Sequence, residues 1–321
     1  MRVAVDATPL LGARTGVGRA VEGLLGTLPA VMPDVEIARY ELTRAAVMLP
    51  PSVLVRLWRQ LDWPSGDRWL PPADVVHGTN FVVPPTNRPT TITVHDCWCA
   101  RSPGDCEATI SAATATVRRA VDRGSWLHVS TEWGAREVRE LYGAERVRVV
   151  PFGVPDVPEA GPPTVDGPYV LALGDSADRR KGHDILRAAM RELPDVKLVV
   201  VGGDRWVDET ARAALLRGAR VVAYPSRYEG FGFPVLEAMS VGVPVVASAV
   251  GGVPEVAGDA ALLVPPEDPG ALAAALQTAV DDDGERARLI TAGSAQAARF
   301  TWEEHARGMV ALWRTAREQH R

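Results

Sequence analysis

The stretch RVVAYPSRYEGFGFPVLEAMSVGVPVVA, residues 220–247, decides the fold class of this chain. Its two ends, 220–224 and 243–247, are short Val-rich runs that predict buried strands. Between them, a glycine-bearing loop leads into a segment, 234–241, that predicts a helix beginning at Pro234. A strand, a loop, a helix and a second strand in this order form the repeating unit of a parallel α/β sheet.

The same alternation extends in both directions from this stretch. In the second half it predicts further strands at 169–173, 197–201 and 261–264, with helices at 182–192 and 208–218 and a helical tail from 270 onward. In the first half it predicts strands at 2–6, 74–77, 90–95, 126–130 and 146–150. After the first of these strands, one face of a predicted helix collects Val17, Ala20, Val21, Leu24, Leu25 and Leu28, at the spacing of an amphipathic helix.

A proline-rich segment separates the two series. Residues 151–168 contain six prolines and have neither helical nor strand periodicity, which is typical of a linker. We therefore predict two Rossmann-like, doubly wound parallel-sheet domains, residues 1–155 and 156–304, facing each other across a cleft. The C-terminal helix, 305–321, is assigned to the first domain as a segment that packs back on it.

The composition is that of a folded protein and argues against several functions. Of 321 residues, 46% are apolar and 23% are charged, and the net charge of −5 argues against nucleic acid as a partner. An early Asp6 and the lack of any run of ~18 apolar residues argue against a signal peptide and a membrane span. Three cysteines, Cys97, Cys99 and Cys106, suit a reducing compartment better than a disulfide scaffold. We expect a cytoplasmic protein, and peripheral contact with a membrane is compatible with this composition.

The loop and helix start at 225–241 carry the strongest indication of a ligand site. Glu229 lies in a loop with Gly230 and Gly232, and Glu237 is predicted in the first helical turn, where its charge favours the positive helix end. Glu237 can accept hydrogen bonds from a ribose, while Glu229 can reach a sugar. A helix N-terminus also offers amides to an anion, here those of Phe233, Val235 and Leu236. The alternative is an acidic helix start after a glycine turn, without a ligand.

A second loop, GDSADRRKGHD at 174–184, places three cations between a predicted strand and a predicted helix. Lys181 would act as a point charge toward phosphate oxygens, and Arg179 or Arg180 could grip them with two parallel hydrogen bonds. The alternative for this loop alone is a solvated basic turn. Cations in one loop and hydroxyl acceptors in the other together favour a nucleotide diphosphate as ligand.

The first half carries polar residues at the predicted carboxyl ends of its strands, where open α/β sheets bind ligands. Gly16 follows a strand and opens a helix, so a diphosphate could approach the backbone closely, although a simple helix entry fits equally well. His95 and Asp96 end a strand, where the pair could orient an acceptor hydroxyl or fill a structural position. His77 and Asn80 are the other predicted acceptor-side residues. Because the nearby cysteines lack the paired spacing of zinc sites, no metal is predicted.

These residues lie in motifs that resemble the retaining glycosyltransferases of family 4, in particular a bacterial mannosyltransferase-like subgroup. The resemblance covers nearly the whole chain. Its motifs are AVDATPLLGARTGVGR (4–19), DVVHGTNFVVPP (74–85), TVHD (93–96), VVPFGVP (149–155), LALGDSADRRKG (171–182) and YPSRYEGFGFPVLEAMSVGVPVVASAVGGVPEVAGDAALLVPPEDP (224–269). The last block is highly specific, and Glu229 and Glu237 match the family's paired-glutamate motif.

The resemblance implies the GT-B fold and transfer of a sugar with retention of configuration, without a metal or a cofactor. The donor would be a nucleotide diphosphate sugar. Its diphosphate is already a good leaving group, so the site must stabilise charge rather than supply a strong acid. The transition state would be oxocarbenium-like, with the departing phosphate accepting the acceptor's proton on the same face. Domain closure would bring His95 beside the reacting centre, and Gly16 would close the phosphate site.

The resemblance also assigns roles to residues of the second domain. Glu237 would bind the donor ribose, and Glu229 would contact the transferred sugar. Lys181, with Arg180 as a helper, would neutralise the diphosphate. The subgroup favours mannose, so GDP-mannose is the first donor expected, ahead of UDP- and ADP-sugars. The acceptor would be a glycan, a lipid-linked molecule or a small molecule, as in polysaccharide biosynthesis.

Two departures from the family pattern matter for these roles. Asp175 stands where many members have arginine, so phosphate neutralisation rests on fewer cations. Only twenty residues separate Gly203 from Tyr224, where the family has room for another helix and strand that help hold the base. The stretch 40–70 is short as well.

Three alternatives stand beside the transferase. One is a nucleotide-sugar epimerase of the same architecture, and another is a degenerate, non-catalytic protein that lost donor binding through the shortened region. A hydrolase would need two carboxylates ~5–9.5 Å apart across one sugar, and it leaves the basic loop unexplained.

Overall fold

The computed structural model describes residues 1–12, 15–42, 50–106, 108–163, 165–203 and 207–320. The chain forms two compact units, which we call unit 1 (Met1–Gly153 with Thr301–Arg321) and unit 2 (Val154–Phe300). Each unit contains one parallel sheet with helices packed on it. The predicted fold class, α/β with two parallel-sheet domains, is confirmed.

Unit 1 is built on a six-stranded sheet with the order β2-β1-β3-β4-β5-β6. The order reverses at β1, which lies between β2 and β3. In the register of the sheet, Val5 is opposite His77, and Thr93 is opposite His128. The strands are β1 (Arg2–Asp6), β2 (Glu36–Tyr40), β3 (Val75–Gly78), β4 (Thr90–Thr93), β5 (Trp126–Val129) and β6 (Val147–Val149).

The edge strand β2 is missing from the strands predicted by the sequence. Ala38 and Tyr40 are its buried residues, while Glu36 and Arg39 are exposed. Two charged side chains in five residues hide the strand pattern, because an edge strand buries few side chains.

The helices of unit 1 enclose a core that includes the end of the chain. Thr15 caps the first helix, where its Oγ1 accepts a hydrogen bond from the Gly18 amide at 3.1 Å. The last helix buries Met309 and Trp313 in the same cluster as Leu24 of the first helix. The helices are Gly16–Val31, Pro51–Gln60, Trp98–Arg101, Ala108–Asp122, Glu132–Tyr142 and Trp302–Glu318.

Unit 2 is built on a five-stranded sheet with the order β11-β10-β9-β7-β8. Its strands are β7 (Tyr169–Leu173), β8 (Lys197–Val201), β9 (Val221–Tyr224), β10 (Val245–Ser248) and β11 (Leu262–Val264). Its helices are His183–Ala189, Glu209–Gly218, Phe233–Ser240, Val253–Ala257, Pro269–Asp281 and Asp283–Ala297. All five predicted strands of this half are observed, with ends that differ by two residues or fewer.

The shortened region of the sequence corresponds to a reduced sheet. In the described part of the chain, a single helix, Glu209–Gly218, connects β8 to β9, and β8 is the outermost strand on its side. The common doubly wound order has two strands on that side of the first strand, whereas unit 2 has one. The residues 204–206, where the sequence predicts an abrupt junction, lie outside the described residues.

The cysteines differ from the expectation of three free thiols. Cys99 and Cys106 form a disulfide, and Cys97 is a buried free thiol. The Cα atoms of the bonded pair lie 5.7 Å apart, a common separation for a disulfide, and the seven-residue spacing across the Trp98–Arg101 helix brings them together.

Two properties of the described residues bear on partners. No helix among them has both the length and the apolar character needed to cross a membrane. The described residues also contain no cluster of three or more His, Cys, Asp or Glu side chains suited to hold a metal ion.

Candidate functional site

The candidate site of unit 2 lies where the strand order of its sheet reverses. After β7 the chain goes to β8 on one side, and it later returns to β9 on the other side of β7. Loops that leave the carboxyl ends of such strands diverge and leave a crevice for a ligand. The 174–182 loop follows β7 and the 225–232 segment follows β9, so the two loops predicted to bind a donor are neighbours.

Two glycines allow these segments to approach closely. Gly182 has φ +65°, and a Cβ on it would lie 2.0 Å from the carbonyl oxygen of Pro225. Gly251 has φ +58°, and a Cβ there would lie 1.9 Å from the carbonyl oxygen of Glu229. Any other residue would force the backbones apart as well as strain its own conformation. Both glycines are therefore required to hold Glu229 beside the basic loop.

Lys181 and Glu229 form the central contact of this site. Lys181 Nζ donates to Glu229 Oε1 at 2.6 Å, and Ser226 Oγ donates to the same oxygen at 2.9 Å. Lys181 Nζ also lies 5.6 Å from the centroid of the Tyr224 ring, over its face. The predicted sugar contact and the predicted phosphate cation thus form one ion pair, in which Glu229 is buried and Lys181 is partly exposed.

Glu229 is held ionised despite its burial. Burial alone would raise the pKa of its carboxyl group, but the positive charges of Lys181 and Arg180 lower it. Hydrogen bonds from Lys181 and Tyr224 lower it further, so the pKa of Glu229 ends below its ordinary value. The site therefore presents a permanent carboxylate at neutral pH.

The other charges of the basic loop are partly held within the loop. Arg180 Nη2 lies 3.2 Å from Asp178 Oδ2, and Asp178 Oδ1 also accepts the Arg180 amide at 2.9 Å. Asp175 Oδ1 accepts the amide of Ala177 at 2.9 Å, which ties this carboxylate to its own turn. Arg179 is exposed. Lys181 and Arg180 are the loop cations positioned toward Glu229.

Arg227, which the sequence does not single out, ties the two loops together. Its guanidinium donates to the carbonyl oxygen of Arg179 at 2.7 Å and to both carboxylate oxygens of Asp184 at 2.8 Å. It also donates to Glu267 at 3.0 Å, and its own amide donates to the Arg180 carbonyl at 2.8 Å. Arg227 therefore fixes the position of the basic turn that carries Lys181.

Glu237 occupies a different environment from the one predicted. It is the fifth residue of the helix Phe233–Ser240, beyond the first turn, because this helix begins one residue earlier than expected. It is fully buried, and its Oε2 accepts a hydrogen bond from Arg212 Nη2 in an ion pair. Arg212 comes from the helix Glu209–Gly218, which the sequence assigned no role. The expected ribose acceptor is thus already paired with a cation.

The predicted amide site at the start of this helix is smaller than expected. Gly232 is the N-cap with φ +104°, and the Val235 amide donates to the Gly232 carbonyl at 3.0 Å. Leu236 is the fourth helical residue, and from this position onward each amide has a carbonyl partner within the helix. Of the three predicted amides, that of Phe233, the first helical residue, is in a position from which it can point away from the helix toward an anion.

In unit 1, His95 lies after β4 and is fixed as a neutral ring. Its Nε2 lies 2.9 Å from the carbonyl oxygen of Thr79, and a carbonyl can only accept, so Nε2 carries the proton. Burial lowers the pKa of His95. The ring stacks on Phe152, with centroids 5.6 Å apart and an interplanar angle of 18°. This arrangement leaves Nδ1 as a hydrogen-bond acceptor for a hydroxyl.

His77 belongs to the sheet interior rather than to an acceptor surface. Its Nδ1 lies 2.8 Å from Thr91 Oγ1, and its Nε2 lies 3.4 Å from Thr93 Oγ1. Burial, followed by the charge of His305, lowers its pKa to about 3. Both ring nitrogens are used within the fold, and the predicted acceptor-side role of His77 is replaced by a structural one.

Asn80, Asp96 and Gly16 lie at the predicted edge with differing surroundings. Asn80 follows β3, and its Oδ1 is buried without a hydrogen-bond partner among the described residues. Asp96 Oδ1 accepts the Trp98 amide at 3.0 Å and so starts the next helix. Gly16 is the exposed first residue of its helix. Asp96 therefore orients the chain after His95, and its negative charge opposes the lowering of the His95 pKa by burial.

A pocket of about 420 Å³ opens in unit 1 beside the start of the first helix. Its size suits a small ligand or one end of a larger one. Glu22 and Arg39 are its charged residues. The lining is Pro9, Leu10, Gly12, Gly18, Glu22, Leu25, Gly26 and Arg39.

Two further histidines of the same unit form a buried network around Phe152. The Phe152 ring contacts His128 and His305, with ring centroids 5.5 and 5.1 Å apart. His128 Nε2 lies 2.9 Å from the Val150 carbonyl and must donate to it, so its Nδ1 accepts from Thr93 Oγ1 at 2.9 Å. Burial lowers the pKa of His305 to about 4 and that of His128 well below its ordinary value. These histidines are neutral structural groups.

Known proteins resemble this chain in sequence and in fold. Residues 167–282 match the family model described as glycosyl transferases group 1. The chain is 35% identical over 238 residues to a D-inositol 3-phosphate glycosyltransferase of Xylanimonas cellulosilytica, covering 59% of this chain and 57% of that protein. It is 51% identical over 89 residues to the O-antigen chain mannosyltransferase B of Escherichia coli, covering 28% of this chain and 23% of that protein.

The fold is shared with solved structures over almost the entire chain. The sucrose-phosphate synthase of Thermosynechococcus elongatus superimposes with a TM-score of 0.77 at 21% identity, covering 98% of both chains. In sequence, by contrast, this chain spans 57% of the length of the inositol-phosphate relative.

Proposed function

We propose that this chain, which is related to the glycosyl transferases group 1 through residues 167–282, is a glycosyltransferase that moves a hexose from a nucleotide diphosphate sugar to an acceptor hydroxyl. The observation that carries the proposal is the Lys181–Glu229 contact at the reversal point of the unit 2 sheet. It combines a cation suited to phosphate with an ionised carboxylate suited to sugar hydroxyls.

The donor diphosphate would bind at Lys181 with help from Arg180. An ammonium group has three N–H donors, so Lys181 can keep its bond to Glu229 and still donate to phosphate oxygens. Glu229, whose pKa is lowered, would accept hydrogen bonds from hydroxyls of the transferred sugar. Release of the diphosphate would then be driven by positive charge already in place before the bond breaks.

We further propose that transfer proceeds with retention of configuration. Within unit 2, Lys181 and Arg180 supply positive charge for a departing diphosphate, and Glu229 is engaged in the ion pair with Lys181. The departing phosphate would accept the acceptor's proton on the face from which it leaves, and no metal would be required. In unit 1, His95 Nδ1 would accept a hydrogen bond from a substrate hydroxyl, and Asn80 Oδ1 is a further acceptor at the same sheet edge.

Glu237 is the proposed ribose ligand, but its pairing with Arg212 must change before a ribose can bind. A ribose can reach this carboxylate after the Arg212 side chain turns away or shares it. The same observation favours a second candidate function, a non-catalytic protein in which Arg212 permanently fills the ribose position. Donor binding measured by calorimetry separates the two, because the non-catalytic protein would give no heat of binding with any nucleotide sugar.

Mannose is the proposed sugar and GDP-mannose the first donor to test. The segment of high identity to the Escherichia coli mannosyltransferase supports this choice. The inositol-phosphate relative supports a small polar acceptor. The proposed acceptors also include a glycan and a lipid-linked molecule.

The test works before an acceptor has been identified. Thermal unfolding with GDP-, UDP- and ADP-sugars identifies the donor, since a ligand that binds the native state raises the melting temperature. Slow donor hydrolysis followed by NMR then reports the anomer released first. We expect the α anomer from an α-linked donor; release of the β anomer would overturn retention, and free epimerised sugar nucleotide would indicate an epimerase.

A further inference from the structure

Arg212 approaches the candidate donor site from outside its two loops. It is the fourth residue of the helix Glu209–Gly218, which connects β8 to β9. The connections from β8 to β9 and from β9 to β10 run in the same direction across the sheet. Right-handed crossovers therefore place this helix and the helix Phe233–Ser240 on the same face. The ion pair between Arg212 and Glu237 joins the two helices directly.

The fold holds Arg212 in this position. Asp208 caps the start of its helix. The helix is also anchored to β7, because the Tyr169 hydroxyl donates to the carbonyl oxygen of Leu215 at 2.6 Å. Only 13% of the Arg212 side chain and 1% of the Glu237 side chain are exposed. The guanidinium is therefore fixed beside the proposed ribose ligand.

The contact with Glu237 uses a small part of the hydrogen-bonding capacity of Arg212. Within the described part of the chain, the Arg212 side chain makes one hydrogen bond, from Nη2 to Glu237 Oε2. A guanidinium is a planar fork with two edges that each offer two parallel N–H groups, so a second edge remains for a ligand. A carboxylate accepts about four hydrogen bonds, so Arg212 and a ribose can share Glu237.

The order of groups in the donor decides which of them Arg212 can reach. A nucleotide sugar runs from sugar to diphosphate to ribose to base. With the sugar at Glu229 and the ribose at Glu237, as in the proposed function, the base lies beyond Glu237. Burial raises the pKa of Glu229 and the charges of Lys181 and Arg180 lower it, while the charge of Arg212 is not among the main causes. Arg212 is therefore at the ribose end of the site, next to the base.

We propose, on the basis of the proposed transferase function, that Arg212 selects guanine as the base of the donor by donating two parallel hydrogen bonds to O6 and N7. The two N–H groups of one guanidinium edge match these two acceptors. Adenine presents an amino donor in place of O6, and this donor would face the N–H groups of the arginine. Uracil presents the single acceptor O4. The expected order of affinity is GDP, then UDP, then ADP.

Calorimetry with nucleoside diphosphates tests this selection in the unmodified chain. GDP should bind about tenfold or more tightly than UDP or ADP, because a site that donates to a base rejects one that lacks the acceptors. Inosine diphosphate keeps O6 and N7 and should bind within about threefold of GDP. The analogue 7-deaza-GDP has a carbon in place of N7 and should bind about tenfold more weakly than GDP.

Arg212→Lys separates the base contact from the ion pair, since lysine keeps a positive charge for Glu237 but has no planar fork. The variant should bind GDP about tenfold more weakly, UDP and ADP within about twofold of the wild type, and GDP and 7-deaza-GDP equally. Arg217→Lys is the matched control and should keep every wild-type affinity. Arg217 lies on the same helix and bonds the carbonyl oxygens of Val157 and Pro158. Unchanged melting temperatures show that both variants are folded.

The possible failures of this selection and of the transferase itself differ. Equal affinities of the wild type for GDP, UDP and ADP, or for GDP and 7-deaza-GDP, would overturn the guanine contact and leave the transferase in place. An equal loss for all three diphosphates in Arg212→Lys would overturn it as well, since Arg212 would then act on the ribose or the phosphates. A wild-type chain that binds no nucleoside diphosphate would overturn both.

Discussion

Lys181 Nζ and Glu229 Oε1 lie 2.6 Å apart, although the two residues are 48 positions apart in the chain. The contact joins the loop after β7 to the segment after β9, and it depends on Gly182 and Gly251 for the approach of the two backbones. The same pair is both an element of stability and the proposed donor site. Substitutions at its two ends therefore have different consequences.

Lys181→Ala should weaken donor binding about tenfold or more, because it removes the partly buried charge proposed to face the diphosphate. The chain has two lysines, and Lys197 bonds the Asp166 carbonyl away from this site. Lys197→Ala is therefore the matched control, and its dissociation constant for the donor should stay unchanged. Calorimetry on both variants checks the assignment; equal affinities in the two would refute it.

Lys181→Ala should also destabilise unit 2 more than Glu229→Gln does. Removing the cation leaves a buried carboxylate without its ion-pair partner, at a cost of about 3 kcal/mol, whereas Lys181 is more exposed and can be hydrated when Glu229 is neutral. Urea unfolding without ligand measures the difference. An equal loss in both variants would mean that burial does not distinguish the two partners.

Arg227→Lys should raise the dissociation constant for the donor about five- to tenfold, because lysine cannot hold Asp184 with two parallel bonds and reach Arg179 as well. Arg220, which bonds the Val280 carbonyl and Asp283, provides a control with similar hydrogen bonding. Arg220→Lys should change stability by a similar amount and leave donor affinity unchanged. If both variants lose affinity equally, Arg227 has no specific role in positioning the basic turn.

Arg212→Ala should lower the free energy of unfolding by about 3 kcal/mol, since it leaves the carboxylate of Glu237 buried without this cation. Arg212→Ala/Glu237→Gln should recover part of that loss, because the buried group is then neutral. Unfolding curves of the single and double variants form a double-mutant cycle. Strictly additive losses would show that the two side chains do not depend on each other.

The buried histidines predict a loss of stability in mild acid. The pKa values of His77 and His305 are lowered to about 3 and about 4 in the folded chain. Below pH 6.5 these two side chains therefore bind more protons in the unfolded chain than in the folded chain. Each such histidine lowers the free energy of unfolding by about 1.4 kcal/mol per pH unit. Asp6 works in the opposite direction, because burial raises its pKa to about 6. The net stability should therefore still fall between about pH 6.5 and 4.

His305→Gln measures this histidine effect. The variant should show a shallower dependence of unfolding free energy on pH, since one titrating group is removed. A slope that is the same in His305→Gln and in the wild type would place the acid sensitivity elsewhere.

The alternation of strands and helices predicted most of the fold because strands buried on both faces appear as continuous apolar runs. β7 is buried at every position and matches its predicted range, Tyr169–Leu173. The edge strand β8 also matches its range, Lys197–Val201, because four consecutive apolar residues follow Lys197. The strand β2 was missed because it lies at an edge, where charged residues interrupt the pattern. The disulfide was missed because composition reports on the usual compartment of such chains and not on which side chains meet.

The loops of the candidate site were predictable, but their side-chain partners were not. Lys181 and Glu229 stand in recognisable loops at strand ends, and topology brings them together. Arg212 and Arg227 have no local pattern that distinguishes them from other surface arginines. Their roles depend on long-range contacts with Glu237 and Asp184. His77 was misassigned because a strand-end histidine gives the same pattern whether its ring points to solvent or into the sheet.

The helix Trp302–Glu318 places residues far along the chain in the core that also contains β1. During translation, a ribosome must therefore synthesise beyond Trp313 before unit 1 can fill the space that this side chain occupies. Unit 2 is continuous in sequence and can finish its own core earlier. We therefore expect unit 2 to complete its core before unit 1, the reverse of the usual order in which N-terminal domains fold first.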